Sequence, residues 1–275
     1  MHKSELDTIG IIGVGNMGGA ILSQSLEHKK QNFIIVEKDK LKEAFACMTY
    51  RVRAAKDISD LTHKAGVIII AVKPQDIDVV LEGLSKGIQS LRNPDILIIS
   101  IAAGIKTEYI EAKILDKVRV IRAMPNMPSA IGEGITALVK GRFATEKDLK
   151  TVERIFKTLG ETITLSKEGL IDVVTAISGS GPAYMFFIFS SILNMAKALG
   201  LDSKSANKLI YNTVIGSMDM LKKNKFDAKT LISKVASKGG TTEAALKVFN
   251  ERGLEMILVD AIRSAHRRSK ELSRA

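Results

Sequence analysis

The chain has 275 residues, 45% of them hydrophobic, enough to bury one large core or two modest ones, which excludes an intrinsically disordered chain. A net charge of +11 suits an anionic cofactor, substrate or nucleic acid, or is simply a basic soluble surface; aromatics at 5%, no Trp and scattered lysines argue against the nucleic acid. The single Cys47 excludes an internal disulfide, and the lack of an apolar signal core in Met1–Glu5 or of any uninterrupted apolar run of about 18 residues predicts a cytoplasmic protein with no membrane partner.

In chain order, short β-branched runs alternate with amphipathic segments, the pattern of a parallel sheet with helical crossovers. Strands are expected at Thr8–Gly13, Asn32–Glu37, Val67–Val72, Asp95–Ser100 and Val118–Arg122. The run Val67–Val72 is apolar throughout, as a strand covered on both faces should be. Weaker strands near Ile135–Lys140 and Glu161–Leu165 flank a helix over Thr145–Leu159 and extend the sheet. From Lys167 the period becomes helical, over Gly181–Gly200, Ser203–Lys223, Ala228–Ala236, Thr241–Arg252 and Leu254–Leu272. Ala183–Phe189 is apolar nearly all round its helix, so a second subunit is expected to cover it. The predicted class is α/β, with a doubly wound N-terminal domain over residues 1–166 and an all-α domain over 167–275.

Gly13-Val14-Gly15-Asn16-Met17-Gly18 follows the first strand and opens a helix, the context a dinucleotide fingerprint needs. The first glycine makes the turn, the second lets a pyrophosphate approach the backbone, and the third packs helix on strand. This identifies a Rossmann-type domain. Glu37 ends the next strand, where a carboxylate accepts hydrogen bonds from ribose hydroxyls and repels the extra phosphate of NADP. Lys38 and Lys40 oppose that repulsion, so the coenzyme is NADPH or NADH.

Further turns fall at carboxyl ends of expected strands, where open α/β sheets bind ligands: Ala71-Val72-Lys73-Pro74 and Ala102-Ala103-Gly104. Their small residues would let a nicotinamide ring lie against backbone. Two prolines fix Met124-Pro125-Asn126-Met127-Pro128, a loop able to hold Asn126 toward the cofactor or to serve as a rigid turn. Ser237-Lys238-Gly239-Gly240-Thr241-Thr242 lies just before a helix and offers open amides suited to a carboxylate, or a plain N-cap at Thr241 or Thr242.

Together with Ser100–Gly104, Ile121–Pro128 and Ser178-Gly179-Ser180-Gly181-Pro182-Ala183-Tyr184, these blocks resemble the pyrroline-5-carboxylate reductase family over nearly the whole chain. The resemblance implies an NAD(P)H-dependent oxidoreductase that reduces a cyclic imine to proline. It implies a substrate carboxylate held by Ser237, Gly239, Gly240 and Thr241, with Thr242 as the catalytic residue that hydrogen-bonds the ring nitrogen. It also puts Glu168 near the substrate, against the alternative of a solvated helix-start carboxylate, and makes the helical domain pair subunits into a homodimer or a larger homo-oligomer. Lys238 departs from the family's usual proline.

The four histidines have no metal-ligand or triad spacing, and no metal is predicted. An imine nitrogen arrives protonated, so the lack of an evident general acid fits an imine better than a carbonyl. A 3-hydroxy-acid dehydrogenase would carry a lysine on the interdomain helix, and Ser178–Met195 has none. A non-catalytic dinucleotide-binding protein is the alternative from another class.

Overall fold

The computed structural model of the chain describes residues 8–28, 32–92, 94–114 and 117–273. Met1–Glu5 lies outside the described residues.

The apolar runs of the first half form β1 (Thr8–Ile12), β2 (Asn32–Val36), β3 (Arg53–Ala54), β4 (Val67–Ile70), β5 (Leu97–Ser100) and β6 (Arg119–Met124). Between them stand α1 (Asn16–His28), α2 (Lys40–Tyr50), α3 (Ile58–Thr62), α4 (Ile77–Gln89) and α5 (Thr107–Ile114). Side chains alternate across a strand, so Ile9, Ile11, Ile35 and Ile69 enter one buried cluster while Ile12, Ile34, Ile68 and Ile70 enter another on the opposite face. Every residue of β4 is buried. Each such side chain contributes about 1.5–3 kcal/mol, which makes the two-sided core the main source of stability.

The eight strands run in the order β3-β2-β1-β4-β5-β6-β7-β8, with β7 (Gly134–Lys140) and β8 (Gly160–Thr164) extending the sheet as expected. One pairing departs from the parallel pattern, because β7 is antiparallel to β6. A parallel return needs a crossover of about a dozen residues, and the loop between Met124 and Gly134 is too short for one. The link from β7 to β8 contains α6 (Glu146–Phe156), so that pair is parallel again. Strand β3 was not expected: it has two residues, both exposed, and too little apolar pattern to be read.

Helix starts follow local chemistry. Asp39 caps α2 by accepting from the amides of Leu41 and Lys42. Thr145 and Asp148 form a reciprocal capping box at α6. Asp148 also takes Arg119 Nη1 at 2.6 Å, joining the helix start to β6.

After α7 (Ile171–Val174) come α8 (Gly181–Ala198), α9 (Ser203–Lys223), α10 (Ala228–Val235), α11 (Thr241–Glu251) and α12 (Leu254–Leu272), close to the expected spans. By compactness the chain divides into residues 1–180 with 265–275, and residues 181–264. In the first of these units, Asp172 accepts from Ser269 Oγ at 2.6 Å and Ser273 Oγ at 3.1 Å, so the end of α12 groups with the sheet. In the second unit, no residue of α8 is buried and Phe187 is 74% exposed. By length and composition alone, the stretch Glu168–Ala198 is apolar enough to cross a membrane.

Asp148→Ala should leave the Thr145 amide without its acceptor and Arg119 with Asp95 alone. We expect a loss of about 2–4 kcal/mol in urea unfolding. An unchanged midpoint would show that this partly buried ion pair contributes no net stability.

Candidate active site

The structure brings the expected cofactor residues of the first unit to one edge. Strands β2, β1, β4 and β5 are neighbours, so the turns that follow them adjoin at their carboxyl ends, where the strand order reverses. Gly13 has φ +93°, and a side chain there would meet the Ala71 carbonyl oxygen at 2.8 Å. A Cβ on Gly18 would lie 2.1 Å from the Gly13 carbonyl oxygen, so only glycine lets the helix close on the turn. A Cβ on Gly15 would meet nothing within 4 Å. That opening borders the first turn of α1, at Asn16, Met17 and Gly18, which carries no acidic residue. Its unpaired amides and positive dipole fit a pyrophosphate, so the residues present suit a dinucleotide.

Glu37 is fixed against this turn. Its Oε2 accepts from the Val14 amide at 2.7 Å and its Oε1 from the Asp39 amide at 3.0 Å. Lys38 Nζ donates to both oxygens of Asp76, and Lys40 Nζ to Glu43. Asp76 closes the 3-10 turn Pro74–Asp76, which follows Ala71, Val72 and Lys73. Beyond β5, Ala102 is buried and donates its amide to Ser100 Oγ. Ala103 and Gly104 complete that turn, and Gly104, at φ +77°, has the Leu272 carbonyl oxygen where a Cβ would stand. The glycine there is required by the end of α12, a contact that sequence spacing does not reveal.

Asn126 makes two side-chain hydrogen bonds within the first unit. Its Oδ1 accepts from the Ile135 amide at 2.9 Å and its Nδ2 donates to Ser178 Oγ at 3.3 Å. Both polar atoms are used to hold the proline-flanked loop against β7 and the Ser178–Tyr184 motif, whose start is the π-helical turn Thr175–Gly179. Such turns recur at functional sites.

Glu168 is not a solvated carboxylate. Its Oε1 accepts from the Thr107 amide at 2.9 Å and from Arg122 Nη1 at 3.0 Å, and its Oε2 from Thr107 Oγ1 at 2.8 Å. Arg122 is 4% exposed, and this pairing fastens the segment after β8 to the turn that follows β5. Burial pushes the nearby Glu111 carboxyl above its usual range, with the charge of Glu168 adding to the effect and the Arg142 amide opposing it. Sequence reasoning missed Arg122, Thr107 and Asp76. The signal for Arg122 was a cation flanked by apolar residues inside a strand.

In the second unit, Gly239 has φ +73° and Gly240 caps α11, so the helix begins at Thr241. Neither threonine is the cap residue. Of the amides expected to meet a carboxylate, that of Gly239 donates to Glu243 Oε2 at 2.6 Å and that of Gly240 to the Ser237 carbonyl at 3.0 Å. The first-turn amides of Thr241 and Thr242, which have no partner within a helix, are the donors this loop offers to an anion.

A family model described as pyrroline-5-carboxylate reductase dimerisation matches residues 168–272, and one described as NADP oxidoreductase, coenzyme F420-dependent, matches residues 8–104. A pyrroline-5-carboxylate reductase of Synechocystis sp. is 34% identical over 97% of this chain and 98% of its own, and that of Aquifex aeolicus is 33% identical over 96% and 97%. Among solved structures, a pyrroline-5-carboxylate reductase from Coxiella burnetii has a TM-score of 0.87 at 32% identity, covering 98% of this chain and 99% of that one. Plasmodium falciparum pyrroline carboxylate reductase, solved with NADP bound, has a TM-score of 0.84 at 26% identity, with 98% and 99% covered.

Gly15→Ala and Gly18→Ala should separate two uses of glycine in one turn. The first should keep the wild-type melting temperature but lose about tenfold or more in affinity for a dinucleotide column, by blocking the approach of phosphate. The second should lower the melting temperature. Equal thermal loss in both would mean that Gly15 serves folding and not a ligand.

Proposed function

The chain belongs to the pyrroline-5-carboxylate reductase family, and on that premise we propose that it reduces the C=N bond of 1-pyrroline-5-carboxylate to give proline, the last step of proline biosynthesis. The observation that carries this reading is the extent of the likeness, which at 97% of the chain takes in both the glycine turn and the Gly239–Thr242 loop. Residues 1–166 are the coenzyme domain in this reading, and residues 167–275 pair subunits and bind substrate.

The coenzyme, NADPH or NADH, supplies the hydride when bound. Gly13, Gly15 and the first turn of α1 would hold its pyrophosphate, Glu37 the adenosine ribose, and the Ala71–Pro74 and Ala102–Gly104 turns its nicotinamide end. The chain's remaining task is orientation, since a protonated imine is already activated toward hydride. The Thr241 and Thr242 amides at the start of α11 bind the substrate carboxylate. The Thr242 hydroxyl positions the ring nitrogen, and Ser237 shapes the loop through its carbonyl. Glu243 keeps Gly239 in place by accepting its amide. Glu168 acts from behind the coenzyme turn, through Thr107.

The apolar face of α8 supports a homodimer. Phe186 and Phe187 are 60% and 74% exposed in the single chain, and the segment that contains them matches a dimerisation model. A second copy is the occupant of that face in this reading, and the protein works in the cytoplasm as a homodimer or a larger assembly of dimers.

Thr242→Ala should lower turnover of pyrroline-5-carboxylate by about ten- to a hundredfold, the loss of one hydrogen bond to a charged group, while coenzyme affinity stays within about twofold. Comparable losses in both would remove Thr242 from the reacting centre. Sedimentation equilibrium should return at least twice the chain mass of 29.9 kDa, and a stable monomer would leave the α8 face unexplained.

A further inference from the structure

The lysines after β2 could in principle welcome the extra phosphate of NADP, but each has an acidic partner in the structure. Lys38 Nζ lies 2.7 and 2.8 Å from the two oxygens of Asp76, Lys40 Nζ lies 3.0 Å from Glu43, and Lys42 Nζ lies 3.9 Å from Asp39. Against these three lysines stand Glu37, Asp39, Glu43 and Asp76, with Lys73 three residues before Asp76 on the turn after β4. Glu37 is held by two backbone amides, and each of its oxygens keeps a lone pair for a ribose hydroxyl. Because β2 and β4 flank β1, the Lys38–Asp76 pair links the loops on either side of the glycine turn.

We propose that Asp76 is a specificity-determining residue of the coenzyme site: by holding Lys38 it leaves Glu37 unopposed at the ribose, so the enzyme selects NADH over NADPH. This rests on reading the glycine turn as the coenzyme site. A phosphate monoester carries about −1.5 to −2 charges at neutral pH, and it would enter beside a fixed carboxylate whose neighbour in sequence, Lys38, is engaged by Asp76. A ribose hydroxyl meets the same carboxylate as a donor. The Lys38 side chain is 76% exposed, so the pair is solvent-accessible and Lys38 can turn to another anion once Asp76 loses its charge. Asp76 makes no side-chain cap for α4, so its amide variant should fold normally. Two further exposed cations follow strands of this sheet, Lys56 after β3 and Lys73 after β4.

The test is titration of the reduced nicotinamide fluorescence with NADH and NADPH, on wild type, Asp76→Asn and Asp76→Asn/Lys38→Met. Wild type should bind NADH about tenfold tighter than NADPH or better. Asp76→Asn should strengthen NADPH binding severalfold, leave NADH within about twofold and keep the melting temperature, and the second substitution should cancel the gain. Wild-type binding of NADPH as tight as NADH would overturn the proposal while keeping the coenzyme site, as would an Asp76→Asn variant with an unchanged ratio. A preference for NADPH lost in Lys56→Ala would also overturn it, by moving the determinant to β3. Binding of neither coenzyme would overturn this proposal and the reading of the site together.

Discussion

The architecture depends on one close approach, between the backbone at Gly18 and the Gly13 carbonyl, where even a methyl group would stand 2.1 Å from oxygen. That contact sets α1 on β1 and turns the helix's first amides outward at the carboxyl end of the sheet. Both faces of the sheet are occupied by apolar clusters, so polar chemistry in this unit is confined to the strand ends. There the turns after β1, β4 and β5 contribute mainly backbone and small side chains. In the proposed reading, these turns would hold phosphate and a planar ring through backbone and small side chains, with Glu37 at the ribose.

Behind that edge the fixed charges work in pairs. Arg122 is buried in β6, and Glu168 answers it from the segment that follows β8 while also gripping Thr107. Removing either partner would strand a charge in a low-dielectric setting, so the pair acts as a register lock between the segment leading to α8 and the turn after β5. Asp172 performs a similar task for the end of α12 through two serines. These links explain why residues 167–180 and the end of α12 group with the sheet even though their sequence reads as helical.

The sheet order and the helices of the second half were legible because period and length carry them: β4 is a solid apolar run and α9 matches its expected bounds from cap to end. The antiparallel turn into β7 was hidden, since strand direction depends on loop length and alternation is blind to it. Among the site residues, the glycines were legible through their spacing. For Asn126, a polar residue between prolines, spacing gave no clue to its side-chain partners, which are Ile135 and Ser178. Gly239 and Gly240 were read as open donors, yet Glu243, four residues beyond Gly239, reaches back to its amide. The roles of Lys38 and Asp76 lie 38 positions apart in sequence and become visible only when β2 and β4 flank β1.

The apolar stretch from Glu168 to Ala198 poses the remaining question, whether its cover is lipid or protein. Its first part is bound into the sheet unit, with Glu168 paired to Arg122 and Asp172 to Ser269, and Gly181 is where the second unit begins. What is left is α8, whose 18 residues rise about 27 Å, short of the roughly 30 Å of a bilayer's hydrocarbon core. Two more residues, Gly179 and Ser180, would close that gap without disturbing either carboxylate, so length does not decide between the two covers. What favours protein is the match of residues 168–272, α8 included, to a pyrroline-5-carboxylate reductase dimerisation model.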